Sequence, residues 1–145
     1  MIRLINTLTR TQLMHSISGI VYLILFACLL PYVFSFIARL TSGFQAKDNQ
    51  YPREFLNNST GIAARANAAQ QNSFEGLPLF IAAVLMAEYM VVSQSVIMTF
   101  GIAYLVLRVI YGVCYLANWA TLRSIVWCLS LLCPISLLIL VIKLS

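Results

Sequence analysis

Apolar residues along this chain come in long unbroken blocks rather than in the alternating or one-faced patterns of a soluble domain. Four blocks stand out, at residues 17–37, 77–92, 96–116 and 125–142. Each is close to the roughly 20 residues needed to cross about 30 Å of hydrocarbon, and the shorter second block is extended by the polar run before it. The pattern predicts an all-α fold, a single four-helix transmembrane bundle over residues 1–145, with helices at about 14–38, 60–92, 95–117 and 121–143. The first block is too long for the core of a cleavable leader and contains Pro31, so it reads as a retained helix.

Polar punctuation sets the connections. Residues 41–60 form the one long polar segment, with Gly43, Lys47, Asp48 and Pro52, and belong in water or among headgroups. Ser59 or Thr60 is suited to cap the following helix, which is long enough to project several turns beyond the hydrocarbon. Ser93-Gln94-Ser95 is so short that the second and third helices must form an antiparallel hairpin, and residues 118–124 make the last turn. Pro78 predicts a bend in the second helix and Pro134 a kink in the fourth. Asn57 and Asn58 each begin an N-glycosylation tripeptide, a pattern common by chance and expected here on the cytoplasmic side.

Within this apolar frame a few polar residues are misplaced unless they are used, because polar groups at membrane depth are costly. The run ARANAAQQNSFEGLPLF, residues 64–80, merges Arg, Asn, Gln and Glu directly into a spanning stretch. At 100° per residue, Arg65, Asn72 and Glu75 fall within about 80° of one another, with Gln71 flanking and Gln70 on another side. A cation, a carboxylate and amides on one face suit a zwitterionic ligand, while interhelical hydrogen bonding is the structural alternative. On the third helix Tyr104, Arg108, Tyr111, Tyr115 and Asn118 follow spacings of four, three, four and three, a stripe about 21 Å long. Arg108 within an apolar helix is expected to face an aqueous cavity or a carboxylate, and the structural alternative is an ion pair with Glu75 inside the bundle, which could still border a ligand. Arg123 and Ser124 stand at the start of the fourth helix, where free amides favour an anion such as a thiolate, or where Arg123 snorkels to headgroups. Glu88 and His15 read as interfacial.

Composition narrows the function. The 145 residues are 61% hydrophobic and 9% charged, the profile of an integral membrane protein. The net charge of +5 is spread over single basic residues, so nucleic-acid binding is not expected. Arg39, Lys47, Arg53 and Arg123 lie in or beside the first and third loops, against Arg3, Arg10 and Lys143 near the termini, a bias that favours both termini outside the cytoplasm. Cys28, Cys114, Cys128 and Cys133 lack metal-ligand spacing and read as small buried hydrophobes. With no metal cluster, nucleophile triad or phosphate loop in the sequence, any chemistry would come from a bound cofactor.

The two segments RANAAQQNSFEGLPLF and RVIYGVCYLANWATLRSIVW, in this order, resemble the membrane-associated proteins in eicosanoid and glutathione metabolism, the MAPEG family, and look most like its small bacterial members. The resemblance implies a homotrimer in a bacterial inner membrane, with glutathione bound between subunits near one membrane face. Carried over by position, Asn72 and Glu75 match the Asn and Glu of the family's second helix, Glu75 holding the tripeptide's amino group, and Gln70 matches a nearby polar position. Tyr111 and Tyr115 match glutathione contacts, and Arg108 matches an arginine in that stripe. With a one-residue gap, Arg123 matches the catalytic arginine beside the cofactor sulfur in the leukotriene and prostaglandin synthases. Ala68 departs from the arginine common in the animal enzymes; Arg65 lies nearly one turn earlier, either as a substitute or facing headgroups, and Arg39 is the loose candidate for a basic contact on the first helix.

The reading that follows is a glutathione-dependent transferase or peroxidase acting on a lipophilic small-molecule electrophile that arrives through the bilayer. A non-enzymatic protein that binds membrane lipid or acts as a scaffold is the main rival, and a small channel or transporter the weaker one, because broken helices and acidic rings are missing from the sequence.

Overall fold

The computed structural model describes residues 2–144, with side chains from Ser18 onward. The expectations for Arg3, Arg10 and His15 lie outside the described side chains. The elements run α1 (Ile2–Thr41), a 3-10 turn (Ala46–Gln50), α2 (Pro52–Asn57), α3 (Gly61–Tyr89), α4 (Gln94–Leu116) and α5 (Ala120–Leu144), with no strand among the described residues. Residues Ser18–Thr41 of α1, together with α4 and α5, are long and apolar enough to cross a membrane. The chain is an integral membrane protein. α3 is more polar in its first half, yet it packs against each of these three helices.

A common core forms where the four long helices meet. Leu23 and Ala27 of α1, Phe80 and Val84 of α3, Ile97 of α4 and Leu137 of α5 are buried there. Two glycines on α4 let α1 approach closely. A Cβ at Gly101 would overlap the Leu23 side chain, and one at Gly112 would overlap the ring of Phe34. Leu23 and Phe34 of α1 therefore each enter α4 as a knob over bare backbone. Pro31, Pro78 and Pro134 all lie within helices that continue unbroken on either side. Neighbouring helices bury Pro31 and Pro134, while Pro78 is exposed.

The 41–60 segment is more ordered than its composition predicts. Pro52 starts α2 at a position where its missing amide hydrogen is not needed. Leu56 is buried against a second small cluster containing Ala38 of α1 and Ala66 of α3. Thr60 occupies the cap position of α3 without making a side-chain cap bond, and Ser59 donates instead to the Leu56 carbonyl at 2.6 Å.

Two matching turns end α3 and α4. The amide of Val92 donates to the Ala87 carbonyl and that of Trp119 to the Cys114 carbonyl, each at 2.9 Å, so each turn closes with a left-handed residue. In the second turn that residue is Asn118, at φ 60°, so the polar stripe of α4 ends at Tyr115 and Asn118 terminates the helix. In the first it is Val91, at φ 55° and 87% exposed. A β-branched residue is strained there, whereas asparagine tolerates the conformation. Val91→Asn is expected to stabilise the protein by about 1 kcal/mol, raising the detergent melting midpoint by about 3 °C. An unchanged midpoint would mean that the turn relaxes around valine.

Candidate functional site

The buried centre of the polar surface is Arg108, 3% exposed on α4. Its Nη1 donates to Asn72 Oδ1 and its Nη2 to Ser73 Oγ, both at 3.0 Å. The guanidinium carbon lies 4.5 Å from the centroid of the Tyr111 ring, so the π face adds to its stabilisation. The Ser73 hydroxyl itself donates to the Ala69 carbonyl at 2.7 Å, and Asn72 Nδ2 donates to Glu75 Oε2 at 3.4 Å. The ion pair expected between Arg108 and Glu75 is replaced by this arrangement. The cause is helical phase: Ser73 is on the buried face of α3 and Glu75 on its exposed face, with Asn72 between them. Arg108 reaches the carboxylate only through the Asn72 amide.

From Arg108 the stripe continues toward the end of the bundle as alternating cations and rings. Tyr111 and Tyr115 meet edge to face at 5.3 Å between centroids. The Arg123 guanidinium carbon lies 4.4 Å from the Tyr115 centroid, and Arg123 is half-buried. The ring therefore holds an otherwise mobile cation at the start of α5, where the open helix end also favours negative charge.

The remaining candidates occupy other positions. Arg65 donates from Nε to the Leu116 carbonyl at 3.2 Å, so it satisfies the end of α4. Gln70 lines a cavity of about 800 Å³ between α1, α2 and α3, together with Gln71 and Asn67 of α3, Arg39 of α1 and Arg53 of α2. An edge-to-face pair of Tyr32 and Phe74, 5.5 Å between centroids, also borders it. Asn57 at the end of α2 accepts from Asn67 Nδ2 at 3.0 Å and Gln71 Nε2 at 3.3 Å. This double acceptor ties α2, and with it Arg53, to the cavity wall. Arg39 lies over the Phe44 ring at 5.3 Å.

A family model described as the MAPEG family matches residues 19–143. The chain belongs to the MAPEG family. No curated protein and no solved structure matches it significantly. In this MAPEG chain the match spans both the α3 network and the ladder ending at Arg123.

Several residues of the MAPEG chain's polar surface, among them Ser73, Arg53, Asn57 and Asn67, do not stand out as site residues in the sequence. Ser73 was hidden by its neighbours, since a serine inside a helix is usually satisfied by its own backbone. Its signal was its place on the face that a buried arginine must meet. Arg53 and Asn57 lie in a segment that reads as loop, and only the packing of Leu56 brings them to the cavity. The cysteines divide: Cys114 and Cys133 are buried, Cys28 is half-buried, and Cys128 is exposed on α5. Among the described residues no group of His, Cys, Asp and Glu could hold a metal ion.

Proposed function

We propose that this protein binds glutathione and uses its thiolate against lipophilic electrophiles, as a membrane transferase or peroxidase working as a homotrimer. The single observation that carries the reading is the exposed Glu75 carboxylate, which accepts from Asn72 and, among the described residues, makes no direct ion pair because Arg108 is bound to Asn72 and Ser73. Glutathione has one ammonium, two carboxylates, amides and a thiol. Glu75 suits the ammonium, Arg39 and Arg53 the carboxylates, Gln70 and Gln71 the amides, and Arg123 the sulfur. The donor set therefore fits the tripeptide group for group. When bound, glutathione supplies the nucleophile, because a thiolate beside a cation is the reactive form at neutral pH.

The placement of these groups supports assembly with further copies of the chain. Gln70 and Asn72 project about 160° apart around α3, so the cavity and the arginine ladder flank opposite sides of one helix. A site that engages both sides is better completed by a second copy of the chain than by one chain alone. The exposed side of α3 offers a seam for that copy: Gln71, Glu75, Pro78, Ala82, Leu85 and Tyr89 are all exposed and follow a four-three spacing. Two polar members of that stripe are better covered by protein than by lipid. The same packing supports α3 as a fourth membrane helix. For the electrophile, an apolar groove of about 440 Å³ between α1 and α4, lined by Phe26, Val33, Val106 and Ile110, supports a lipophilic substrate class.

Calorimetric titration of the purified protein with glutathione tests the reading. Wild type is expected to bind, and Glu75→Gln to weaken binding by about 30-fold, the loss typical of a charge-assisted hydrogen bond. Equal affinities for both proteins, or no heat from wild type, would sink it. The apolar groove also favours a second reading, lipid binding without thiol chemistry. Fluorescent-lipid binding that persists without glutathione and ignores Arg123→Ala would support that rival.

A further inference from the structure

We propose that Ser73 is a positioning residue that keeps Arg108 away from Glu75, so that the carboxylate remains available to a cationic group of the ligand. This rests on the glutathione reading for the identity of that group, and on geometry for the rest.

The network has one direction. The Ala69 carbonyl can only accept, so the Ser73 hydroxyl spends its proton there and presents lone pairs to Arg108. Arg108 can only donate, so the Asn72 amide must turn Oδ1 toward it, and Nδ2 is then committed to the Glu75 carboxylate, which only accepts. A backbone carbonyl thus determines, through three side chains, how Glu75 is held. Removing the Ser73 hydroxyl removes the fork's second acceptor. A buried guanidinium left with one neutral acceptor has a strong drive toward the nearest carboxylate, and Glu75 is one hydrogen bond away across Asn72. The resulting ion pair would neutralise the charge that recognises an ammonium. The neutral serine, not an acidic residue, is what lets a buried arginine and a carboxylate stand close together here without a direct ion pair.

The test compares glutathione with its desamino analogue glutaryl-Cys-Gly, which lacks only the ammonium, in wild type, Ser73→Ala and Ser73→Thr. Wild type is expected to prefer glutathione by about 10-fold or more, as for a hydrogen bond to a charged group. Ser73→Ala should lose most of that preference, and Ser73→Thr, which retains a hydroxyl, should keep it. A general structural defect would weaken both ligands together and leave the ratio intact; an intact ratio in Ser73→Ala overturns the proposal. A second readout needs no ligand: the Asn72 side-chain amide resonance, assigned by its absence in Asn72→Asp, should move in Ser73→Ala and stay in Ser73→Thr. If wild type binds no glutathione, the functional reading fails while this resonance still decides the role of Ser73, and an unmoved signal in Ser73→Ala rules that role out.

Discussion

Replacing Arg123 with alanine is expected to lower turnover of a soluble test electrophile by about 10²–10³-fold, the usual loss when one preorganised charge stabiliser is removed. Glutathione affinity should change far less, because the cations and amides assigned to the peptide portion are elsewhere. The expectation comes from how Arg123 is held. Its guanidinium lies over Tyr115, which rests edge-on against Tyr111, which in turn lies beneath the buried Arg108. A cation fixed in this way loses little entropy when it meets an anion, and it sits where the free amides of α5 act in the same sense. Arg123→Lys should recover only part of the rate, since an ammonium cannot stack its planar face on the ring. The ultraviolet thiolate absorbance of the complex is the decisive readout: it should appear at higher pH in Arg123→Ala than in wild type. Equal thiolate titrations in the two proteins would remove Arg123 from the chemistry and return it to a headgroup role.

The membrane helices are legible in the sequence because nothing in a bilayer competes with their signal. Blocks of apolar residues at 17–37, 96–116 and 125–142 need no tertiary information to be read, and α1, α4 and α5 have spans there. Family membership was legible for a related reason, since polar residues tolerated inside apolar helices are few and their spacing is specific. Partner choice was less legible. Pairing Arg108 with Glu75 follows from charge alone, but the structure chooses Asn72 and Ser73 because α3 turns Glu75 outward. Arg65 looked like a ligand cation by its angle on α3, yet the carbonyl end of α4 takes it. Both outcomes depend on the rotation of one helix against another, which no single-helix periodicity contains. The order in residues 41–60 was hidden for the same reason: α2 is too short to form alone and stands on the contact of Leu56 with α1 and α3.

Gly112→Ala should be the most destabilising single-methyl addition in the bundle, by about 3 kcal/mol, with a fall in the detergent melting midpoint of about 10 °C. The added Cβ would fall within the Phe34 ring, a rigid group that is itself buried in α1 and cannot swing aside as a long aliphatic chain could. Gly101 meets the branched end of Leu23, which has alternative rotamers, so Gly101→Ala should be milder. The effect at Gly112 extends to the site because Tyr111 is its immediate neighbour and Arg108 lies one turn earlier on α4. Forcing α1 and α4 apart displaces the ladder relative to α3, so glutathione affinity should fall together with stability. Shortening the knob provides the control. Phe34→Leu leaves a void and destabilises on its own, but combined with Gly112→Ala it should be less harmful than the sum of the two single changes, by about 1 kcal/mol or more. Strict additivity would show that the two positions do not touch, and that the close approach of α1 to α4 is not what fixes the register of Arg108 against Asn72 and Ser73.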